Sequence, residues 1–228
     1  MDIRFLGQSA FLISTNEVKL LVDPFLTGNP KGAISADDAE ADVIALTHGH
    51  ADHYGDTVDI AKRTGATVLA IVEIANELME EHGLENVKDP NLGGTVTFDW
   101  GWIKVVPAWH TCTTPSGTVA VAAGLLIKVG DKLVYHLGDT CLFSDLQLIA
   151  RRGDPVDVAI VPIGGHYTMD RHDAVTAVEF VNPTTVIPCH YDTFPPIETD
   201  AEAFKADVES STSATVAVLA PGETYSDA

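Results

Sequence analysis

The stretch Thr47-His48-Gly49-His50-Ala51-Asp52-His53 decides how the rest of the chain is read. Three imidazoles and one carboxylate fall within six positions, directly after the apolar run VIALT at 43–47. VIALT reads as a short buried strand. The cluster therefore sits at a strand's carboxyl end, where open α/β folds place their ligands. In extended chain, residues two apart point the same way, so His48 and His50 can grip one ion. The turn that follows swings Asp52 and His53 toward a second position. Gly49 and Ala51 are small and let backbone crowd the ions.

Working upstream, IRFLG, AFLIST and VKLLVDP read as a strand meander with a turn at Asn16-Glu17. Downstream, GDTVDIAKRTG (55–65) is an amphipathic helix closed by Gly65, and TVLAIV (67–72) is a strand. EIANELMEEHG (73–83) is a helix closed by Gly83. TVTFD, IKVVPAW, VAVAAGLLIKV and KLVYHLGD are strands, and SDLQLIARRG (144–153) is a helix. The strand DVAIVPI, the helix RHDAVTAVEFV before Pro183, the strand TTVIPCH, the helix DAEAFKADVESS and a last strand ATVAVLAP complete the chain. Both halves run strands first and then alternate strand with helix, with no short repeat and no low-complexity linker. The expectation is one domain over 1–228, of α/β class: a β-sandwich with helices on both outer faces.

The charge narrows the partners. Asp and Glu number 33 against 13 Lys and Arg, a net −20 over 228 residues. That field repels phosphate backbones and anionic lipid, so neither nucleic acid nor a membrane is expected. The acids are scattered, as on a solvated surface, and a high-salt habitat gives the same composition. No run approaches the roughly 18 apolar residues of a membrane helix. Met1 and Asp2 lead into IRFLGQSAFLI without the pattern of a signal peptide. Cys112, Cys141 and Cys189 include no CxxC pair, which suits reduced thiols in a cytoplasmic protein.

Three more metal-capable residues follow apolar strands: His110 after IKVVPAW, Asp139 after KLVYHLG and His190 after TTVIPC. Each alone is as readily structural as functional. Together with the first cluster they supply five imidazoles and two carboxylates. Such a set, without thiolate, suits Zn2+, and also Mn2+ or Fe2+.

The segments LGQSAFLI, DPFLTGNP, THGHADHYGDT, NLGGTV, VPAWHT, VYHLGDTCLFSDLQLI, PIGGHYTMD and IPCHYDTFP carry a resemblance through nearly the whole chain. The sequence resembles the metallo-β-lactamase superfamily and, within it, the metal-dependent hydrolases similar to L-ascorbate-6-phosphate lactonase. The resemblance implies a four-layer αβ/βα sandwich with its site at one edge. It also implies two divalent ions: His48, His50 and His110 on the first, Asp52, His53 and His190 on the second, Asp139 bridging. Each ion then keeps an open place, as catalytic sites do. Paired cations acidify water toward a pKa of ~7. The expected activity is hydrolysis of an ester, lactone or phosphoester bond in a small metabolite. Asp52 would orient or deprotonate the water, and His166 in PIGGHYTMD would donate a proton to the leaving group. The family pattern has a histidine where Gln8 stands and small residues at the three cysteines, which are either small packed hydrophobes or accessory ligands. Relatives assemble, so a homo-oligomer is a possible state.

Around this set, Asp23 in LLVDP is expected to brace the His-rich loop. His136 is either a core histidine or a support for the metal ligands. Tyr191 and Thr168 lie close by in sequence, whereas His82 and His172 read as surface residues at helix ends. Loops 24–40, 86–95 and 111–118 shape the pocket. Two other functions use part of the pattern: a mononuclear iron persulfide oxygenase, and a non-catalytic metal-binding protein. Full retention of seven ligands favours the binuclear hydrolase over both.

Overall fold

Alternating buried residues make the first third of the chain a meander. In the computed structural model, which describes residues 1–151 and 155–226, β1 (Asp2–Gly7), β2 (Ala10–Ser14) and β3 (Lys19–Val22) pair antiparallel. Thr15 N donates to Val18 O across the Asn16-Glu17 turn. β4 (Val43–Ala45), β5 (Thr67–Leu69) and β6 (Val87–Lys88) then add in parallel. Their crossovers carry α1 (Ala51–Tyr54), α2 (Thr57–Thr64) and α3 (Val72–Glu80).

The second half repeats the plan. β7 (Thr95–Phe98), β8 (Gly101–Pro107), β9 (Ala123–Val129) and β10 (Lys132–His136) are antiparallel neighbours. β11 (Val158–Pro162), β12 (Thr185–Cys189) and β13 (Thr215–Val216) extend the sheet in parallel. The intervening helices are α4 (Leu146–Arg151), α5 (Arg171–Val181) and α6 (Ala201–Ser211). The chain finally returns to the first sheet, where β14 (Thr224–Ser226) pairs with β1. Among the described residues each sheet has seven strands.

The period-2 burial of the strands builds three cores. Ile3, Phe5, Phe11, Ile13 and Leu20 meet Val105, Leu125, Ile127, Ile160 and Ile187 between the sheets. The alternate residues Leu6, Leu21, Ile44 and Val68 pack under Ile60, Ile74 and Leu78 of α2 and α3. On the other outer face, Tyr135, Ala159, Val161 and Val186 pack against Val178, Val181, Phe204 and Val208 of α5 and α6. Each large side chain so buried contributes roughly 1.5–3 kcal/mol. The layers are helix, sheet, sheet, helix, the expected α/β sandwich.

Several boundaries differ from the sequence reading. The strand expected from Val119 begins at Ala123, because Val119 and Val121 are exposed and Val119 instead bridges Thr113 to close the 111–118 loop. The expected strand 67–72 stops at Leu69, and Val72 opens a helix. ATVAVLAP contributes only Thr215–Val216 before the chain leaves for the other sheet. The helix expected over 144–153 spans Leu146–Arg151; positions 152–153 lie outside the described residues. The helix expected over 55–65 spans Thr57–Thr64; Asp56, at its N-cap, makes no side-chain cap bond, and its carboxylate instead accepts the amides of Leu26 and Thr27 and ties down the loop after β3.

β8 and β10 are both antiparallel to β9, so β8, β10, β11 and β12 all point their carboxyl ends to one edge. The site is built on that edge, against the carboxyl end of β4.

Candidate metal centre

The residues after β4, β8, β10 and β12 converge there. His48 Nε2 lies 3.1 Å from His50 Nδ1, which lies 3.3 Å from His110 Nε2. Asp139 Oδ2 lies 3.3 Å from His53 Nε2 and 3.1 Å from His190 Nε2. It also lies 3.7 Å from His110 Nε2 and 4.0 Å from His48 Nε2. Asp52 Oδ2 is 3.5 Å from His190 Nε2 and 3.8 Å from His53 Nε2. Three overlapping donor sets are close enough to share an ion: His48, His50 and His110; His48, His53 and Asp139; Asp52, His53 and His190.

Local chemistry aims these donors. Asp23, fully buried between β3 and the loop, accepts Thr47 N on Oδ1 at 2.8 Å, and Thr47 Oγ1 on Oδ2 at 2.6 Å. The same Oδ2 lies 2.8 Å from His53 Nδ1. A carboxylate only accepts, so His53 carries a proton on Nδ1 and turns Nε2 to the centre, where a cation would take the place of any second proton. Thr47 spends its hydroxyl proton on Asp23, so its oxygen accepts His48 Nδ1–H at 3.1 Å, and His48 Nε2 is bare. Asp23 thus braces the loop as expected, with Thr47 as a relay the sequence did not single out.

Gly49 between the two histidines has no room for a side chain. A Cβ there would lie 2.7 Å from Thr114 Cγ2 and 3.2 Å from Ile74 Cδ1. Its amide donates to Cys112 Sγ at 3.1 Å. Cys112 is thereby a packing and positioning group. Cys189 is buried, Cys141 is exposed, and all three thiols are free. No cysteine joins a donor set among the described residues.

Gln8 ties the other side. Its backbone sits at φ 58°, a left-handed conformation uncommon for a residue with a side chain. Its Nε2 donates to Asp52 Oδ2 at 2.9 Å, and its carbonyl accepts His190 N at 2.8 Å. The sequence flagged Gln8 only as a departure from a family pattern; its contacts became visible when β1 and β12 met at the edge.

The centre is electrostatically divided. Burial pulls His53 down, but Asp139, Asp23 and Asp52 outweigh it and hold the imidazole well above its usual range. Burial likewise opposes the charge on His190, yet Asp139 and Asp52 push it up to about 9. Burial would raise both Asp52 and Asp139, but the neighbouring His53 and His190 hold both below the usual carboxylate range. Burial instead lowers His48, His50 and His110. Protons on His53 and His190 neutralise the carboxylates, and a cation would displace them. The donors fit a cation: His53 Nε2 and Asp139 Oδ1 are buried without a hydrogen-bond partner.

The other sequence candidates separate. His136 is buried, with Nδ1 accepting Gly138 N and Nε2 reaching Ser9 O at 3.4 Å; it supports backbone beside Asp139 and Gln8 and touches no donor. His166 is exposed, and its ring packs edge-on against Tyr167 at 4.5 Å. A cleft of 590 Å³ opens over the donors, and Tyr167 lines it where His166 does not. Tyr191 lines a different groove, beside Gln8. Thr168 holds Met169 O at 3.5 Å. His172 is exposed as expected, but His82 is half-buried, 3.8 Å from the buried carboxylate of Glu77. Phe25, Phe194 and Pro196 also line the cleft. Phe25 falls in the pocket-shaping loop 24–40, whereas Phe194 and Pro196 follow the last ligand and carried no signal of their own.

A four-layer sandwich with a His/Asp cluster at its carboxyl edge defines a metallo-β-lactamase-type protein. Comparison with known proteins agrees. The family model described as β-lactamase superfamily domain matches residues 2–190. A metal-dependent hydrolase of Thermus thermophilus is 46% identical over 205 residues, covering 90% of this chain and 89% of the relative. One from Staphylococcus carnosus is 45% identical over 229 residues, covering 98% of each. The solved structure of Igni18, a metallo hydrolase of Ignicoccus hospitalis, superposes with a TM-score of 0.89 at 37% identity, covering 98% of this chain and 97% of that one. The chain belongs to the β-lactamase superfamily and, within it, to the UPF0173 family of metal-dependent hydrolases. Among the described residues, no helix is long and apolar enough to cross a membrane.

Proposed function

We propose that this chain is a binuclear metal-dependent hydrolase that splits an ester, lactone or phosphoester bond of a small molecule. One observation carries the reading: Asp139 Oδ2 stands within 4.0 Å of the Nε2 atoms of His48, His53, His110 and His190, between the two halves of the donor cluster. His48, His50 and His110 would hold one ion, Asp52, His53 and His190 the other, and Asp139 would serve both. The nitrogen and oxygen donors suit Zn2+, and accept Mn2+ or Fe2+.

Divalent ions held there would supply Lewis acidity and a water acidified to near-neutral pKa. The chain's own groups do the rest. Asp139 is sealed from solvent, with 3% of its side chain exposed, and serves as a fixed counter-charge. Asp52 keeps 29% of its side chain exposed and is the carboxylate that faces incoming water. Gln8 holds one of its oxygens, so it acts in one orientation. Asp23 and Thr47 keep His53 and His48 from turning.

The test is turnover of an ester, lactone and phosphoester panel by metal-reconstituted protein and by Asp52→Ala. The proposal expects activity that needs added metal and falls at least about 100-fold in the variant, the scale of a lost acid–base group. Metal-loaded protein inert on every substrate, or activity unchanged in Asp52→Ala, would contradict it.

A further inference from the structure

We infer that the substrate of this centre is an uncharged carboxylic ester or lactone, with its non-reacting part aromatic or aliphatic and held by the rings of Phe25, Phe194 and Tyr167. This rests on the hydrolase reading above and narrows it by removing phosphoesters.

The cleft carries the inference. Beyond the donor residues, its 590 Å³ are lined by Phe25, Ala51, Thr111, Tyr167, Phe194 and Pro196. Among the described residues no lysine or arginine lines it. Apart from the ions its donors would hold, this wall offers a phosphate no guanidinium, ammonium or long-helix amide. The chain's net charge of −20 repels an anionic substrate before it arrives. An uncharged substrate meets no such barrier and gains by covering the rings.

The wall is built in advance. Phe25 and Phe194 come from opposite halves of the sandwich, and their ring centroids lie 6.5 Å apart. Phe25 N bonds Asp23 O at 2.8 Å, and the next two amides are held by Asp56. Gly55 completes this corner, since a Cβ there would lie 2.3 Å from Pro24 O. Phe194 O accepts Ile197 N at 3.0 Å. The Tyr167 loop is pinned by Met169 N on Thr140 O and by Gly165 N on Met169 O. A wall fixed beforehand loses little entropy on binding.

The reaction consumes one water. Its oxygen bonds to the carbonyl carbon, the bond to the alkoxy oxygen breaks, and that oxygen takes a proton. The products are an alcohol and a carboxylic acid, which releases a proton to become a carboxylate. For a lactone the two ends stay on one molecule. The acidic surface then favours departure of the anionic product.

The test uses metal-reconstituted protein of measured metal content. 3,4-Dihydrocoumarin serves as an uncharged aryl lactone, and phenyl phosphate as its anionic counterpart. 2-Tetralone, with the ring oxygen replaced by carbon, probes binding without cleavage. We expect kcat/KM for the lactone to exceed that for phenyl phosphate by at least about 100-fold. Phe25→Ala and Phe194→Ala should each raise KM about fivefold, with kcat and metal content held, and weaken 2-tetralone binding in calorimetry by the same factor. Preferred turnover of phenyl phosphate would overturn the inference and leave the hydrolase reading standing, as would ring variants that change neither KM nor 2-tetralone binding. Binding of 2-tetralone with no turnover of either compound would overturn the hydrolase reading, and the ester assignment with it.

Discussion

Asp23 Oδ2 stands 2.8 Å from His53 Nδ1 while the same carboxylate holds the amide and hydroxyl of Thr47. One buried side chain therefore sets the tautomer of His53 directly and that of His48 through a hydroxyl. Asp23→Asn places an N–H donor among groups that also donate. We expect metal affinity to fall about 10- to 100-fold, the usual scale for a group that orients a ligand. Metal titration against a competing chelator measures it, with circular dichroism as the check on folding. A folded variant that binds metal like the parent would remove Asp23 from this role.

Gln8 separates the two donor sets. Its side-chain amide bonds Asp52, while its carbonyl holds His190 from the backbone. Gln8→Ala removes the first contact and keeps the second. The expected result is selective weakening of one of two binding steps in calorimetric titration, with the step assigned to His48, His50 and His110 unchanged. Equal weakening of both steps would show that Gln8 acts on the fold rather than on Asp52.

Gly49 packs the His-rich loop against Thr114, Ile74 and Cys112. In Gly49→Ala the added methyl meets Thr114 Cγ2 at 2.7 Å and must push Thr114 or the loop aside. Overpacking of this kind costs roughly 1–3 kcal/mol. Urea unfolding of the metal-free protein should show that loss, and metal binding should weaken as His48 and His50 separate. Parent-like stability together with parent-like affinity would mean the loop yields without cost.

His136 provides a pH signature. It is fully buried, and burial holds its pKa below the ordinary 6.5. A group depressed in the folded state contributes stability that is present above the unfolded pKa and is lost as pH falls through the folded one. The metal-free protein should therefore lose up to about 1.4 kcal/mol per pH unit from this residue below pH ~6.5. His136→Gln should flatten the acid limb of unfolding free energy against pH by about one proton. Identical slopes in parent and variant would show that His136 is already charged when folded.

Much of this architecture is legible in the sequence because strand burial repeats every two residues. The strands IRFLG, AFLIST and VKLLVDP read correctly, and so did the strand-end positions of His110, Asp139 and His190. Asp23 was legible too, since a carboxylate closing LLV, next to Pro24, lies one strand away from the His-rich loop. What failed was set by contacts distant in sequence. β14 is the polar TYS, and only pairing with β1 makes it a strand. Gln8 reaches Asp52 across 44 positions, and no local pattern signals it. His166 and Tyr167 are neighbours, and their loop turns the tyrosine rather than the histidine to the cleft.

The most direct test of the binuclear account is elemental analysis of protein purified without added metal, repeated on Asp139→Ala. The account predicts close to two divalent ions per chain in the parent, zinc or manganese foremost, and one or fewer in the variant. A single iron per chain, retained in full without Asp139, would contradict it and turn the site toward oxygen chemistry.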